Sequence, residues 1–355
     1  MKVGNLLKIA GINLLLVLVL LFSFESYLRF TSPERTLPRN GLFDGKHYTW
    51  GHLVRNNRYG FRERDFAEKK PDGVRRIMVL GDSLTWGAGL SEDQRYTNRL
   101  ERLLNAGTFP ARYEVLNFGA PAAPTTGERD TLRKYIHVVD PDLIVVAFCV
   151  NDPQPRSENY SVEKEQFDSR YKEYILYLTS SLRGLGFPFI GKAMESAVYR
   201  LAERTGAIPP WGVGLLRTYE RDSREWRAFE RALTDIKKLS DGNRLAPPIL
   251  AILNTGSSPH TIEAYRAPND TIRKLMTMFR QAEEAGTRLG FRTYNHEMEI
   301  IEDLRGKNLI LNELDAHPSA ELNEAYAKKL YRIITAEYET RFVTTPSPSG
   351  RRATR

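Results

Sequence analysis

Cysteine is all but missing from this chain, with one residue, Cys149, in 355. A single thiol excludes an intramolecular disulfide and any cysteine-rich metal centre, and no His/Cys/acid spacing elsewhere matches a metal motif. Cys149 lies in Leu143-Ile-Val-Val-Ala-Phe-Cys-Val150, the setting of a strand core, and reads as an inert buried thiol. A basic stripe interleaved with aromatics is also lacking. The formal charge is +8, but Arg351, Arg352 and Arg355 of a Ser/Pro/Thr/Arg tail supply part of the excess. The remaining cations are mixed with acids, as in Arg62-Glu63-Arg64-Asp65 and Glu220-Arg221-Asp222, so nucleic acid is not the expected partner. No internal repeat occurs, which excludes a solenoid. At 41% the hydrophobic content is low for a globular chain, though not that of a disordered one. The length suits one large domain or two small ones.

The N-terminus holds the one long apolar run. Lys2 and Lys8 precede Ile9–Phe24, in which Asn13 and Ser23 are the polar interruptions. With Leu6 and Leu7 counted and Lys8 snorkelling to the headgroups, the run approaches the roughly 20 residues of a membrane span. The next residues, Glu25-Ser-Tyr-Leu-Arg29, contain no small-x-small cleavage site. Residues 1–30 are therefore expected to be a retained anchor; a cleaved signal is the alternative, and both export the rest of the chain. Lys2 and Lys8 favour a cytoplasmic N-terminus, a bias diluted by Arg29, Arg35 and Arg39.

Residues 31–72 are rich in Arg, Asn, Gly and Pro without sustained period, and read as a linker and irregular wrap. From there a βα rhythm sets in over 73–342. Short apolar runs at Arg76–Leu80, Glu114–Phe118, Leu143–Val150, Ile249–Leu253 and Phe291–Asn295 predict strands. Helical faces lie between and after them, for example Tyr96/Leu100/Leu103/Leu104, Trp226/Phe229/Leu233/Ile236/Leu239 and Leu322/Ala325/Tyr326/Leu330/Ile333. Pro318 suits the first position of the last helix. The expected fold class is α/β: a three-layer, doubly wound, flavodoxin-like fold with a parallel sheet of about five strands. Residues 153–221 interrupt the rhythm with aromatic and aliphatic positions and read as a helical insertion, either a lid over the site or helices packed away from it. Residues 343–355 read as a flexible basic tail.

The chemistry concentrates at the ends of the predicted strands. The first strand runs directly into Gly81-Asp82-Ser83, placing a serine hydroxyl on a tight turn beside backbone N–H groups. The second ends in Asn117-Phe-Gly119, where a glycine N–H can face the site, and the third in Asn151-Asp152, which supplies a side-chain amide. Asp315-Ala-His317-Pro318 precedes the last helix. Asp82 is expected to hold its turn through backbone N–H groups.

In these blocks the chain resembles the SGNH/GDSL hydrolase superfamily, whose signature Ser, Gly, Asn and His match Ser83, Gly119, Asn151 and His317 in order. The resemblance spans about residues 74–340. The run Arg55-Asn-Asn-Arg-Tyr-Gly60-Phe-Arg62 also resembles the Asn-x-x-Gly-Phe-Arg segment of membrane-anchored bacterial members. It implies Ser83 as nucleophile, His317 as general base and Asp315 as its orienting acid. The oxyanion would be held by the N–H groups of Ser83 and Gly119 and by the Asn151 amide. No cofactor and no metal are implied.

Two departures stand out. The family spacing is Asp-x-x-His, whereas Asp315 and His317 are two apart; in an extended segment such residues share a side. A different acid, or a Ser–His dyad, is the alternative. The third block has Cys149 where the family has glycine. His47, His52, His137, His260 and His296 lack a comparable setting, although His260 sits in a loop that can line a pocket. The expected activity is hydrolysis of a carboxylic ester, of a small molecule, glycan or lipid, through an acyl-serine intermediate. It is expected outside the cytoplasm, on the periplasmic side of a bacterial inner membrane. Alternatives are an O-acyltransferase or deacetylase of cell-surface polysaccharide, and a non-catalytic binding module in an export assembly. The sequence leaves the oligomeric state open.

Overall fold

The computed structural model describes residues 3–31, 38–155, 160–253, 270–305, 307, 309–312 and 315–338. Lys2, Arg35, His260 and the tail 343–355 lie outside the described residues. In chain order the elements are helix α1 (Val3–Thr31), strands β1 (Gly41–Phe43), β2 (Lys46–Thr49), β3 (His52–Leu53) and β4 (Val74–Gly81), and helices α2 (Ser83–Trp86) and α3 (Tyr96–Ala106). Strand β5 (Arg112–Gly119), helix α4 (Thr125–Val139) and strand β6 (Leu143–Phe148) come next. Then come helices α5 (Val162–Gly184), α6 (Pro188–Arg204), α7 (Trp211–Thr218) and α8 (Arg224–Gly242). The chain continues with β7 (Ile249–Ile252), α9 (Asp270–Arg288), β8 (Arg292–Asn295), α10 (Glu297–Asp303), β9 (Ile310–Asn312), β10 (Asp315–Pro318) and α11 (Ala320–Glu337).

The chain divides into two compact units. One combines Met1–Pro38 with Asn159–Gly214, and the other combines Arg39–Glu158 with Leu215–Arg355. The second holds a five-stranded sheet of order β5-β4-β6-β7-β8, parallel throughout, with helices on both sides. This is the expected α/β doubly wound arrangement, with the strand order reversing beside β4. Sequence and burial agree on why these segments are strands. Every residue of β6 is fully buried, as are Ile77 to Leu80 of β4, which requires the continuous apolar runs of a sheet covered on both faces. The helices cover it with the expected faces: Tyr96, Leu100 and Leu104 of α3, and Trp226, Phe229, Leu233 and Ile236 of α8, are buried.

Two local expectations differ. The stretch read as irregular wrap contains an antiparallel meander, β1-β2-β3. Its strands are two to four residues long, too short for a period to register in sequence. Pro318 ends β10 rather than opening the last helix. The cap of α11 is Ser319, whose hydroxyl accepts from the N–H of Leu322 at 3.2 Å.

The first unit contains α1, α5 and α6. Helix α1 is apolar over Lys8–Thr31, with mean hydropathy 2.1 and little of its surface buried, so its length and composition allow it to cross a membrane.

Candidate active site

The site begins at the carboxyl end of β4. Asp82 caps the short helix α2, its Oδ1 accepting from the N–H of Leu84 at 2.9 Å. Ser83 is the first residue of that helix, so its own N–H has no partner within the helix. Helix α2 rests directly on the strand ends beneath it. A Cβ at Gly119 would lie 2.5 Å from the backbone N of Trp86, and one at Gly81 would lie 2.1 Å from Thr85 Oγ1. Only glycine permits that approach at the ends of β4 and β5. Asn117, buried near the end of β5, ties the two layers together. Its Nδ2 donates to Thr85 O at 2.6 Å and to Thr97 Oγ1 at 3.0 Å, and its Oδ1 accepts from Gly119 N at 2.9 Å.

The hairpin of β9 and β10 brings the other residues. Asp315 and His317 lie in β10, which pairs antiparallel with β9, Asp315 opposite Asn312. The extended backbone sends both side chains the same way, as their two-residue spacing requires. His317 Nε2 lies 2.9 Å from Ser83 Oγ. On the other side of the ring, Nδ1 meets Asp315 Oδ1, which also accepts from the His317 backbone N–H at 3.0 Å. Asp315 Oδ2 accepts from the indole Nε1 of Trp50 at 2.6 Å. Ser83, His317 and Asp315 are thus in hydrogen-bonded sequence, an arrangement able to support nucleophilic catalysis. Partial burial works against the Asp315 charge, but hydrogen bonds from His317, the imidazolium charge and the Trp50 N–H outweigh it and hold its pKa at about 2.

Ser83 Oγ also lies 3.3 Å from Asp82 Oδ2. Asp82 is fully buried, which raises its pKa, while the Leu84 N–H and the His317 charge oppose the rise. Asn151, just beyond β6, lies close enough to Asp82 to oppose that rise as well. Gly119 brings its N–H to the strand end, but there the donor is already engaged by Asn117 Oδ1. Cys149 is buried, and burial pushes its thiol well above the usual range, in keeping with an inert role.

Several residues that shape the site carried no assignment from sequence. Trp50 lies just after β2, and its partner Asp315 is 265 positions away; no local pattern could have marked it. Arg62 ends the Asn-x-x-Gly-Phe-Arg run, and the structure accounts for that run. Asn57 Oδ1 accepts from Tyr59 N at 3.0 Å and Phe61 N at 3.1 Å, and Gly60 has φ +89°. Phe61 packs on Phe118 with ring centroids 4.6 Å apart. The turn delivers the buried Arg62 guanidinium to Gly87 O at 2.7 Å and Leu90 O at 2.6 Å, in the loop after the serine. Burial, then the neighbouring Arg95, lowers its pKa to about 10. Near Asp82, Glu128 of α4 and Asp152 are buried, and among the described residues neither Glu128 oxygen nor Asp152 Oδ1 meets a hydrogen-bond partner. Burial raises both pKa values well above the carboxylate range, with the nearby acidic groups adding to the effect.

Solved structures similar to this one include that of TesA, at 13% identity and TM-score 0.42, covering 74% of this chain and 99% of that one. Another is an acetylxylan esterase, Axe2, from Geobacillus stearothermophilus, at 13% identity and TM-score 0.43, covering 75% and 96%. A third is the acetyl xylan esterase AlAXEase, at 10% identity and TM-score 0.43, covering 73% and 99%. No curated protein sequence matches the chain. The model of the GDSL-like Lipase/Acylhydrolase family matches residues 79–325, which include Ser83, Gly119, Asn151, Asp315 and His317. With that match over more than half its length, the chain belongs to the GDSL-like lipase/acylhydrolase family and is a serine ester hydrolase.

Proposed function

We propose that the enzyme cleaves a carboxylic ester by acyl transfer through Ser83, with His317 as general base and Asp315 as its orienting acid. The observation that carries this reading is the 2.9 Å contact between His317 Nε2 and Ser83 Oγ, with Asp315 on the opposite ring nitrogen. As Oγ bonds to the acyl carbon, its proton passes to Nε2. Collapse of the tetrahedral intermediate breaks the ester C–O bond, and His317 returns the proton to the departing alkoxide. Water then repeats the sequence on the acyl-serine and releases free acid.

The oxyanion is held by the N–H groups of Ser83 and Gly119 and by the Asn151 amide. Such a donor contributes about 3–4 kcal/mol when it is aimed at the developing charge. Gly119 has to share its N–H with Asn117, so Ser83 N–H and Asn151 take the larger part. We further propose that α1 is retained as a membrane tether, with the catalytic unit outside the cytoplasm. An enzyme fixed to a membrane is suited to esters borne by lipids or surface glycans. That tether also favours a second reading, in which a glycan hydroxyl replaces water as the acceptor.

Covalent labelling by a fluorophosphonate, measured for wild type and Ser83→Ala, tests the nucleophile. Labelling should vanish and turnover fall about 10⁴- to 10⁶-fold in Ser83→Ala, with a comparable loss in His317→Ala because the two act as a unit. Retention of half the activity by either variant overturns the assignment. Free acid as the sole product in the presence of polysaccharide supports hydrolysis, whereas an acylated glycan supports transfer. N-terminal sequencing of the native protein decides the tether, since a mature chain starting near residue 27 refutes it.

A further inference from the structure

The unit formed by α1, α5 and α6 contains a contact that fixes where its hairpin lies along the apolar helix. Glu25 is the one acidic residue in α1 and is almost fully buried. Its Oε1 accepts from Phe189 N at 3.2 Å and its Oε2 from Ile190 N at 2.9 Å. A carboxylate from another helix thus satisfies the free N–H groups in the first turn of α6. Phe22 packs edge-on against Phe187 with centroids 5.1 Å apart, and the Arg29 guanidinium lies 5.6 Å from the Phe189 ring. The turn between α5 and α6 is therefore held level with the last turns of the apolar run, which ends at Phe24. At 1.5 Å per residue, Phe22 lies about 3 Å inside that end.

The hairpin has the composition that such a position demands. From Tyr174 to Met194 it carries no acidic residue and two cations, Arg183 and Lys192. Its tip presents apolar surface outward, Leu185 being 71% exposed, with Tyr174 and Tyr177 exposed further up α5. The two helices are closely packed, Gly191 lying against the Thr179 backbone where a Cβ would approach its O to 3.1 Å. Exposed leucine at the tip, tyrosines above it and cations without acids are the features of a segment seated at the boundary of headgroups and acyl chains.

We infer that the tip of the α5–α6 hairpin is a second membrane contact, embedded in the face of the lipid bilayer from which α1 emerges. This rests on the tether reading of α1. The full chain thus meets the membrane through a span and an interfacial hairpin locked to it by Glu25. Arg183 lies among the headgroups, and anionic phospholipids hold it there.

The test uses the full-length protein in vesicles of phosphatidylcholine and phosphatidylglycerol, with a nitroxide on Leu185→Cys or Leu16→Cys; Cys149 is buried and stays unlabelled. Power saturation compares relaxation by oxygen, which enters the bilayer, with relaxation by a water-soluble nickel chelate. The expected result places the Leu16 label deep and the Leu185 label shallow but inside the bilayer, more accessible to oxygen than to nickel. A deep Leu16 label with a water-exposed Leu185 label overturns the hairpin contact and leaves the tether intact. A Leu185 label shielded from both reagents means that protein covers the tip, which also overturns it. A water-exposed Leu16 label defeats the tether, and the hairpin contact with it.

Discussion

Asp315 sits between donors on two sides, and this makes the pair Trp50 and Asp315 a sharp test of the site. The His317 backbone and ring N–H groups claim Oδ1, and the Trp50 indole claims Oδ2. In Trp50→Phe one charge-assisted hydrogen bond is lost. Such bonds contribute about 1.5–3 kcal/mol, but the Asp315 side chain is 17% exposed, so water replaces part of the loss. A residual cost of about 1–2 kcal/mol corresponds to roughly 5- to 30-fold in kcat/KM. Asp315 remains ionised, because its pKa starts at about 2.

Asp315→Asn is worse for two reasons. It removes the charge that stabilises the imidazolium, and it leaves one oxygen for two sets of donors on opposite sides. With Trp50 present, the amide is drawn to turn its oxygen toward the indole and its NH₂ toward His317, which selects the wrong tautomer of the base. The loss should be about 10³- to 10⁴-fold. Removing Trp50 as well frees the amide to keep its oxygen on His317. The double variant should therefore lose less than the product of the single losses, and at best recover activity relative to Asp315→Asn alone. Steady-state kinetics on the four proteins of the cycle, with the melting temperature as a control for folding, measures the coupling. Losses that multiply, or exceed the product, refute the argument.

The pH profile is set by the same geometry: kcat/KM should rise with pH as the base becomes neutral, and Asp315→Asn should move that acid limb to lower pH, because the ion pair that favours the imidazolium is gone. An unmoved limb in a pH–rate profile counts against His317 as the base. Gly119→Ala should abolish activity and lower the melting temperature, since the added methyl meets the Trp86 backbone nitrogen at 2.5 Å; a fully active variant would mean that α2 is free to lift. Glu128 has a folded-state pKa raised above its unfolded value, so its contribution favours the fold at low pH and is lost as pH rises. The difference in melting temperature between Glu128→Gln and wild type should thus become more favourable to the variant from pH 5 to pH 8, and a trend in the opposite direction on calorimetry rejects this account.

The sheet was legible in sequence because a parallel strand buried on both faces must be a continuous apolar run, as β6 is from Leu143 to Phe148. Ser83, Gly119, Asn151 and His317 stand out in sequence because each sits at a strand end or helix entrance, where type and order carry information, and the structure brings Ser83 and His317 within 2.9 Å. Trp50 was illegible for the opposite reason. It lies in the turn between strands of four and two residues, and its significance arises from a partner on a distant hairpin. Glu128 lies on an ordinary amphipathic helix, and only the packed structure shows that its carboxyl group points into a buried cluster with Asp152. His260, once a pocket candidate, falls outside the described residues. The cap of α6 by Glu25 was hidden too, because a lone acid after an apolar run looks like the start of the aqueous segment.

The reach of Trp50 and Arg62 into the site bears on how the enzyme can be shortened. A fragment cut to the family-matched stretch, 79–325, would keep Ser83 and His317 yet lose both buttresses, along with Glu63, which accepts from Asn117 N at 3.0 Å. It would also cut through β4 and remove the last turns of α11. A shortened version that keeps every residue of the site described above starts no later than Arg39 and runs through Tyr338. What sequence comparison delimits as a domain is, for this chain, smaller than the set of residues that hold the site together.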